Sequence, residues 1–113
     1  MKKLMFLMLI MISINSLASG WITKDLTGKI TYVNAERFDL VRIGFTADDR
    51  ANPDECGSAG AVILKTDSNS AEKQYSLLLA AFMADKPIKL YGSGCISAWG
   101  SSFPELSAVY VYP

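Results

Sequence analysis

The first eighteen residues constrain this chain more than any other feature, because they read as an export signal. Lys2 and Lys3 give a positive start, Leu4 to Ile12 form an uncharged run of Leu, Met, Ile and Phe, and Ser16-Leu17-Ala18 ends it with small residues at the two positions a signal peptidase reads. A membrane anchor needs about 20 apolar residues in a row. Here Ser13, Asn15 and Ser16 interrupt the run too early. Residues 1–18 are therefore expected to be a cleaved signal, with cutting after Ala18, or after Gly20 if Ala18 and Gly20 are the small pair. An uncleaved N-terminal anchor is the alternative. Residues 19–113 then form one domain that works outside the cytoplasm, periplasmic or secreted, with no stable membrane insertion.

Taking 18 residues from 113 leaves 95, enough for one small domain and too few for two. Without Lys2 and Lys3 the 11 basic residues become 9 against 11 acidic, scattered rather than clustered. A phosphate-backbone binder carries a basic face, so nucleic acid is excluded as the expected partner. A core this small is marginal. Cys56 and Cys95 are the two cysteines, and in an oxidising compartment an even count reads as a disulfide. Closing a loop of roughly 40 residues stabilises by about 4 kcal/mol in the chain-entropy model. A redox-active pair fits less well, since no Cys-x-x-Cys is present.

Gly28 opens a strand-like run, Lys29 to Val33, rich in β-branched and aromatic residues. Asn34 to Arg37 reads as a turn. Phe38 to Thr46 then alternates, with Val41, Ile43 and Phe45 as the cleaner apolar face. Ala47 to Gly57 has no hydrophobic period and reads as an exposed loop around the Asn52-Pro53-Asp54 turn signal. Gly60 to Lys65 is a third strand, short and central. A helix follows, capped by Asn69 with Glu72 in the capping-box position, or by Ser70. Its expected buried stripe is Tyr75, Leu78, Leu79, Phe82 and Met83, and Asp85-Lys86-Pro87 stops it. Ile88 to Tyr91 is a fourth strand running into Gly92-Ser93-Gly94-Cys95. After a Gly/Ser/Trp-containing loop, Glu105 to Tyr112 is the fifth. The fold class is thus mainly β with one helix, in the order β-β-β-α-β-β of a five-stranded OB-fold-like barrel. An open α+β sandwich is the competing architecture.

The chain has no histidine, which removes the commonest general base, most zinc sites and every Ser-His or Cys-His nucleophile. No Gly-x-Ser-x-Gly or Ser-x-x-Lys context supports a serine nucleophile. Asp48, Asp49, Asp54 and Glu55 lie close together in the loop, but paired carboxylates need separated environments to split their pKa values. A calcium loop would need an Asp/Asn spacing and a glycine that are missing. An enzyme is not expected, nor a cofactor or a metal. The aromatics Trp21, Tyr91, Trp99, Tyr110 and Tyr112 are numerous for this size. A sugar-binding groove uses such rings to cover apolar C–H faces while short polar side chains meet hydroxyls; the alternative is that they complete a small core.

Trp21, the Leu26-Thr27-Gly28 entry to the first strand, and the helix followed by Lys86-Pro87-Ile88-Lys89-Leu90 together resemble the B subunits of AB-type bacterial toxins of the subtilase-cytotoxin and typhoid-toxin kind. The cysteine before the third strand, Tyr75-Ser76-Leu77-Leu78-Leu79-Ala80-Ala81 and Gly94-Cys95 are similar to those of small exported two-cysteine proteobacterial proteins of unassigned function. The toxin resemblance implies an OB-fold homo-oligomer, a pentamer, that binds sialylated or related glycans. It also implies that the hydroxyl residue before the glycine, here Thr27, helps hold the sugar. The expected ligand-binding residues are Asp25, Thr27 and an aromatic ring such as Trp99, and the expected partner is a glycan or a protein. A periplasmic structural or interaction protein without a small ligand is the rival reading.

Overall fold

The computed structural model describes residues 19–23, 27–35 and 39–113. The expected export signal, Asp25 and Phe38 lie outside the described residues.

Alternation along the chain sets the strands, since a period of two sends apolar residues to one face of a sheet. β1 (Gly20–Trp21) is only two residues long, too short to show a period. β2 (Gly28–Ala35) and β3 (Leu40–Ala47) pair antiparallel, Gly28 opposite Ala47 and Ala35 opposite Val41. Val41, Ile43 and Phe45 are buried, as their alternation predicts. β4 (Ala61–Lys65) pairs antiparallel with β3 on its other side, and Ala61 to Leu64 are all buried. Val62 and Leu64 join the main core with Ile30, Ile43, Leu78 and Leu90, whereas Ala61 and Ile63 face a second, smaller cluster around Phe103. β4 is therefore covered on both faces, which explains why it reads as an unbroken apolar run.

The helix α1 (Asn69–Met83) is capped differently from expectation: the side chain of Ser68, not Asn69 or Ser70, accepts from the Ala71 N–H at 3.1 Å. Ser68 is extended (φ −142°, ψ 159°), as a cap residue must be. At the other end Lys86 N–H donates to Ala81 O (3.0 Å) and Asp85 N–H to Phe82 O (3.3 Å), with Asp85 at φ 52°. That is the Schellman closure, with aspartate where glycine is usual. The helix packs against β2, β4 and β6, and its buried residues are Ala71, Leu78 and Ala81. Leu78 is buried as expected. Phe82 is 38% exposed and Met83 lies outside too, so the expected stripe is corrected by about one residue's rotation. Alanines, which let the helix approach the sheet closely, occupy the contact face in place of the larger side chains.

β5 (Ile88–Ala98) and β6 (Ser101–Val111) form one long antiparallel hairpin. The expected fourth strand, running into Gly92-Ser93-Gly94-Cys95, continues past Cys95 to Ala98, carried through register shifts at Tyr91/Gly92 and Gly92/Cys95. Bulges absorb such residues without ending a strand, and Pro104 falls opposite Cys95 at one of them, where a missing N–H is tolerated. The Gly/Ser/Trp loop shrinks to Trp99-Gly100, both with positive φ (46° and 74°), the mirror-type turn that suits a two-residue hairpin. β5 meets β2 at Gly28–Ile88, and β6 meets β4 in parallel at Ile63–Glu105. The six strands, in the order β1-β5-β2-β3-β4-β6 with β5 also on β6, thereby close partly into a ring. The expected order holds, with the short β1 added in front.

Cys56 and Cys95 are disulfide-bonded, with Cα atoms 5.7 Å apart and within the usual range. The bridge fixes the 48–60 loop to the bulge of β5. Asn52 bonds Cys56 through both ends of its amide, and Asp54 Oδ2 accepts from the Gly94 N–H at 2.8 Å. The loop carboxylate Asp54 is thus spent on backbone rather than on its acidic neighbours. No helix among the described residues is long and apolar enough to cross a membrane.

Candidate functional site

β5 is the spine of the candidate site. Its Ile88 and Leu90 point into the core, so Lys89 and Tyr91 face outward. Along its edge the segment 20–23 is pinned from several directions. Ile22 N–H donates to Leu90 O (2.9 Å), Thr23 Oγ1 accepts from the Leu90 N–H (3.0 Å), and Ala51 N–H donates to Ile22 O (2.9 Å). Ile22 fills the space above Gly92, where any side chain would meet it. With Ile22 and Thr23 fully buried, Trp21 is turned outward opposite Tyr91.

The result is a cluster of rings on the outer face of β1, β5 and β6. Trp21 meets Tyr91 edge-on at 5.3 Å between centroids and Tyr110 at 5.3 Å with the planes 49° apart. Lys89, opposite Tyr110, places its Nζ 5.2 Å from the centre of the Trp21 ring. Trp21 and Tyr110 remain 38% and 47% exposed, and Tyr112 is exposed beyond them. At one end the hydroxyls of Ser19 and Ser93 lie 3.0 Å apart.

Thr27 lies near the other end. Gly28 opposes Ile88 while Trp21 opposes Tyr91, a separation of three residues, or about 10 Å along β5. Thr27 lines a cavity of about 260 Å³ together with Lys29, Thr46, Asp48 and Pro87. Gly28 is required there, since a Cβ would collide with the carbonyl oxygen of Thr46. Two threonines, an aspartate and a lysine line this hollow. Lys29 is partly engaged, donating to Asp85 Oδ2 at 3.0 Å.

Trp99 does not join Thr27. It sits at the far tip of the hairpin, eleven residues of β5 from the Gly28 contact, or roughly 35 Å if the strand were straight. There it stacks on the Arg42 guanidinium at 4.7 Å and meets Phe103 edge-on at 6.3 Å, with Tyr32 on Arg42 at 5.9 Å. A depression of about 370 Å³ near this end is lined by Asp39, Lys65 and Glu105 among others; Lys65 also pairs with Asp67 at 3.5 Å. Of the two tryptophans, Trp21 is the one that lies at the same end of β5 as Thr27. Alternation sets Lys89 and Tyr91 on one face of β5, and the strand pairing brings Trp21 and Tyr110 to them.

Comparison with known proteins finds no match to a family model, a curated protein or a solved structure.

Proposed function

We propose that this chain is an exported, non-enzymatic binding module whose ligand is a glycan. The observation that carries the reading is the exposed Trp21–Tyr91–Tyr110 cluster with Lys89 at its centre and the hydroxyl-lined Thr27 hollow at its end. Rings beside convergent polar groups suit a sugar, whose faces are apolar and whose rim is hydroxylated. In this reading Thr27 bonds a sugar hydroxyl, as the resemblance to toxin B subunits implies. The export reading rests on the N-terminal segment and accords with the disulfide. A glycan array on the protein begun at Ser19, with light scattering on the same sample, tests both ligand and assembly. Binding to at least one glycan is expected, and none at millimolar concentration rejects the reading.

A protein partner is the second reading. Arg42 stacked between Tyr32 and Trp99 favours it, because Trp, Tyr and Arg dominate the energetic centres of interfaces. Crosslinking in the native compartment that depends on Trp99, together with a blank glycan array, would select it.

A further inference from the structure

We propose that the outer face of α1 seats a second copy of this chain, the two helices packing antiparallel about a two-fold axis near Leu79. This surface shares no residue with the Trp21 cluster, so the inference does not depend on the glycan reading.

The helix lies on the sheet through Ala71, Leu78 and Ala81, yet its other side is unlike a solvated one. A helix that meets water on one side carries charged and polar residues there. From Gln74 to Ala84 no residue is charged. Gln74 is turned to β6, where its Nε2 donates to Ser107 O at 2.7 Å, which leaves Ser76 as the one polar side chain of the outer face in that stretch. Leu77, Ala80, Met83 and Ala84, at the three- and four-residue spacing that shares a face, are all exposed, Leu77 by 41% and Met83 by 82%. A contiguous apolar patch of this kind marks an interaction surface. Alanines hold the middle of it, and small side chains let a second helix approach closely.

The charges at its two ends point to what covers it. Glu72 and Lys73 stand at the start and Asp85 and Lys86 at the close, all four exposed. Antiparallel pairing sets Glu72 against Lys86 of the other copy and Lys73 against Asp85 of the other copy. Both pairings share one centre, at Leu79, and Leu77 of each copy then falls beside Ala80 of the other. A two-fold contact uses the same patch twice and must be complementary to itself. This face is, because acid-then-base at each end becomes base-then-acid when one helix is reversed. A parallel pair would oppose each charge to its like. An anionic membrane surface needs an excess of base, whereas these four charges cancel. Asp85 also holds Lys29 at 3.0 Å, but 79% of its side chain is exposed and open to a second base. Rim charges of this kind choose the partner and its direction more than they add affinity; the uncharged stretch supplies the attraction. One helix face buries less than about 1,200 Å² in total, so the association is weak and reversible.

The test is sedimentation velocity on the mature protein recovered after export of the full chain, over a concentration series reaching about 1 mM to suit a weak complex. A reversible monomer–dimer equilibrium is expected. Met83→Glu, at the most exposed apolar position, should weaken it by about tenfold or more with an unchanged melting temperature. Lys86→Glu and Glu72→Lys should each weaken it by about tenfold, by setting like charges together. The two combined in one chain should restore wild-type association, a rescue that unspecific apolar adhesion would not give. Monomer at every concentration, an assembly other than a dimer, indifference to Met83→Glu, or a charge pair without rescue overturns the inference. Retention of a monomeric protein on phosphatidylcholine–phosphatidylglycerol vesicles, lost in Met83→Glu, also overturns it and assigns the face to lipid.

Discussion

Asp85 and Thr27 show how differently single residues act here. Asp85 holds a left-handed backbone (φ 52°) at the close of the helix, a conformation that costs an L-residue roughly 1–2 kcal/mol and glycine nothing comparable. Its ion pair with Lys29 joins two side chains that are 79% and 51% exposed, and exposed pairs contribute little. Asp85→Gly should therefore leave stability unchanged or raise it by up to about 1 kcal/mol in urea unfolding. A clear loss would mean that the Lys29 contact matters more than the backbone. Thr27 is exposed at the entry to β2, so its loss should not touch folding. Thr27→Ala should weaken glycan binding by about 1–2 kcal/mol, the range for leaving a hydrogen-bonding partner unsatisfied, with the melting curve superimposable on wild type. Glycan binding that survives the substitution moves the site away from Thr27.

Among the elements, the helix separates what sequence reveals from what it hides. Its existence and its stop at Asp85-Lys86-Pro87 were readable from periodicity and proline. Its buried face was readable only in part: Leu78 is buried and Tyr75 packs on the core, but large apolar residues lie on both sides and Ala71 and Ala81 share the contact in place of Phe82 and Met83. Ala71, Leu78 and Ala81 bury while Phe82 does not. Leu78→Ala should accordingly cost about 2–5 kcal/mol and Phe82→Ala less than about 1 kcal/mol, the reverse of a hydrophobicity ranking. Ser68→Ala should cost about 1 kcal/mol by removing the cap, whereas Asn69→Ala should not. Chemical denaturation of the four variants checks the set. In the sheet, Val41, Ile43 and Phe45 were legible by alternation. The full length of β5 was not, since Ser93 and Gly94 carry a turn-like composition and are bridged only because β6 pairs with Gly92 before them and with Cys95 to Ala98 after them. β1 was hidden for a simpler reason: two residues have no period. For that reason the meeting of Trp21 with Tyr91 and Tyr110, which makes the candidate site, could not be read from the chain.

For the molecule as a whole, the disulfide ties the least regular part to the longest hairpin. Cys56 lies in the 48–60 loop and Cys95 at a β5 bulge, 39 residues apart. Reduction should lower stability by about 4 kcal/mol on the loop-entropy estimate, a large share of the about 5–15 kcal/mol typical of small domains. Denaturant midpoints of oxidised and reduced protein measure it. A change below about 1 kcal/mol would show that the loop's hydrogen bonds, those of Ala51, Asn52, Asp54, Gly57 and Ser58 among them, hold it without the bridge.

Ser19 lies against Ser93, and the Tyr112 N–H donates to Pro87 O at 2.9 Å, so Ser19 and Tyr112 both sit at the aromatic face. A purification tag fused ahead of Ser19 or after Pro113 would therefore hang over the rings and compete with ligand for them. Capture through the Trp99-Gly100 turn, at the opposite tip of the hairpin, would leave that face clear.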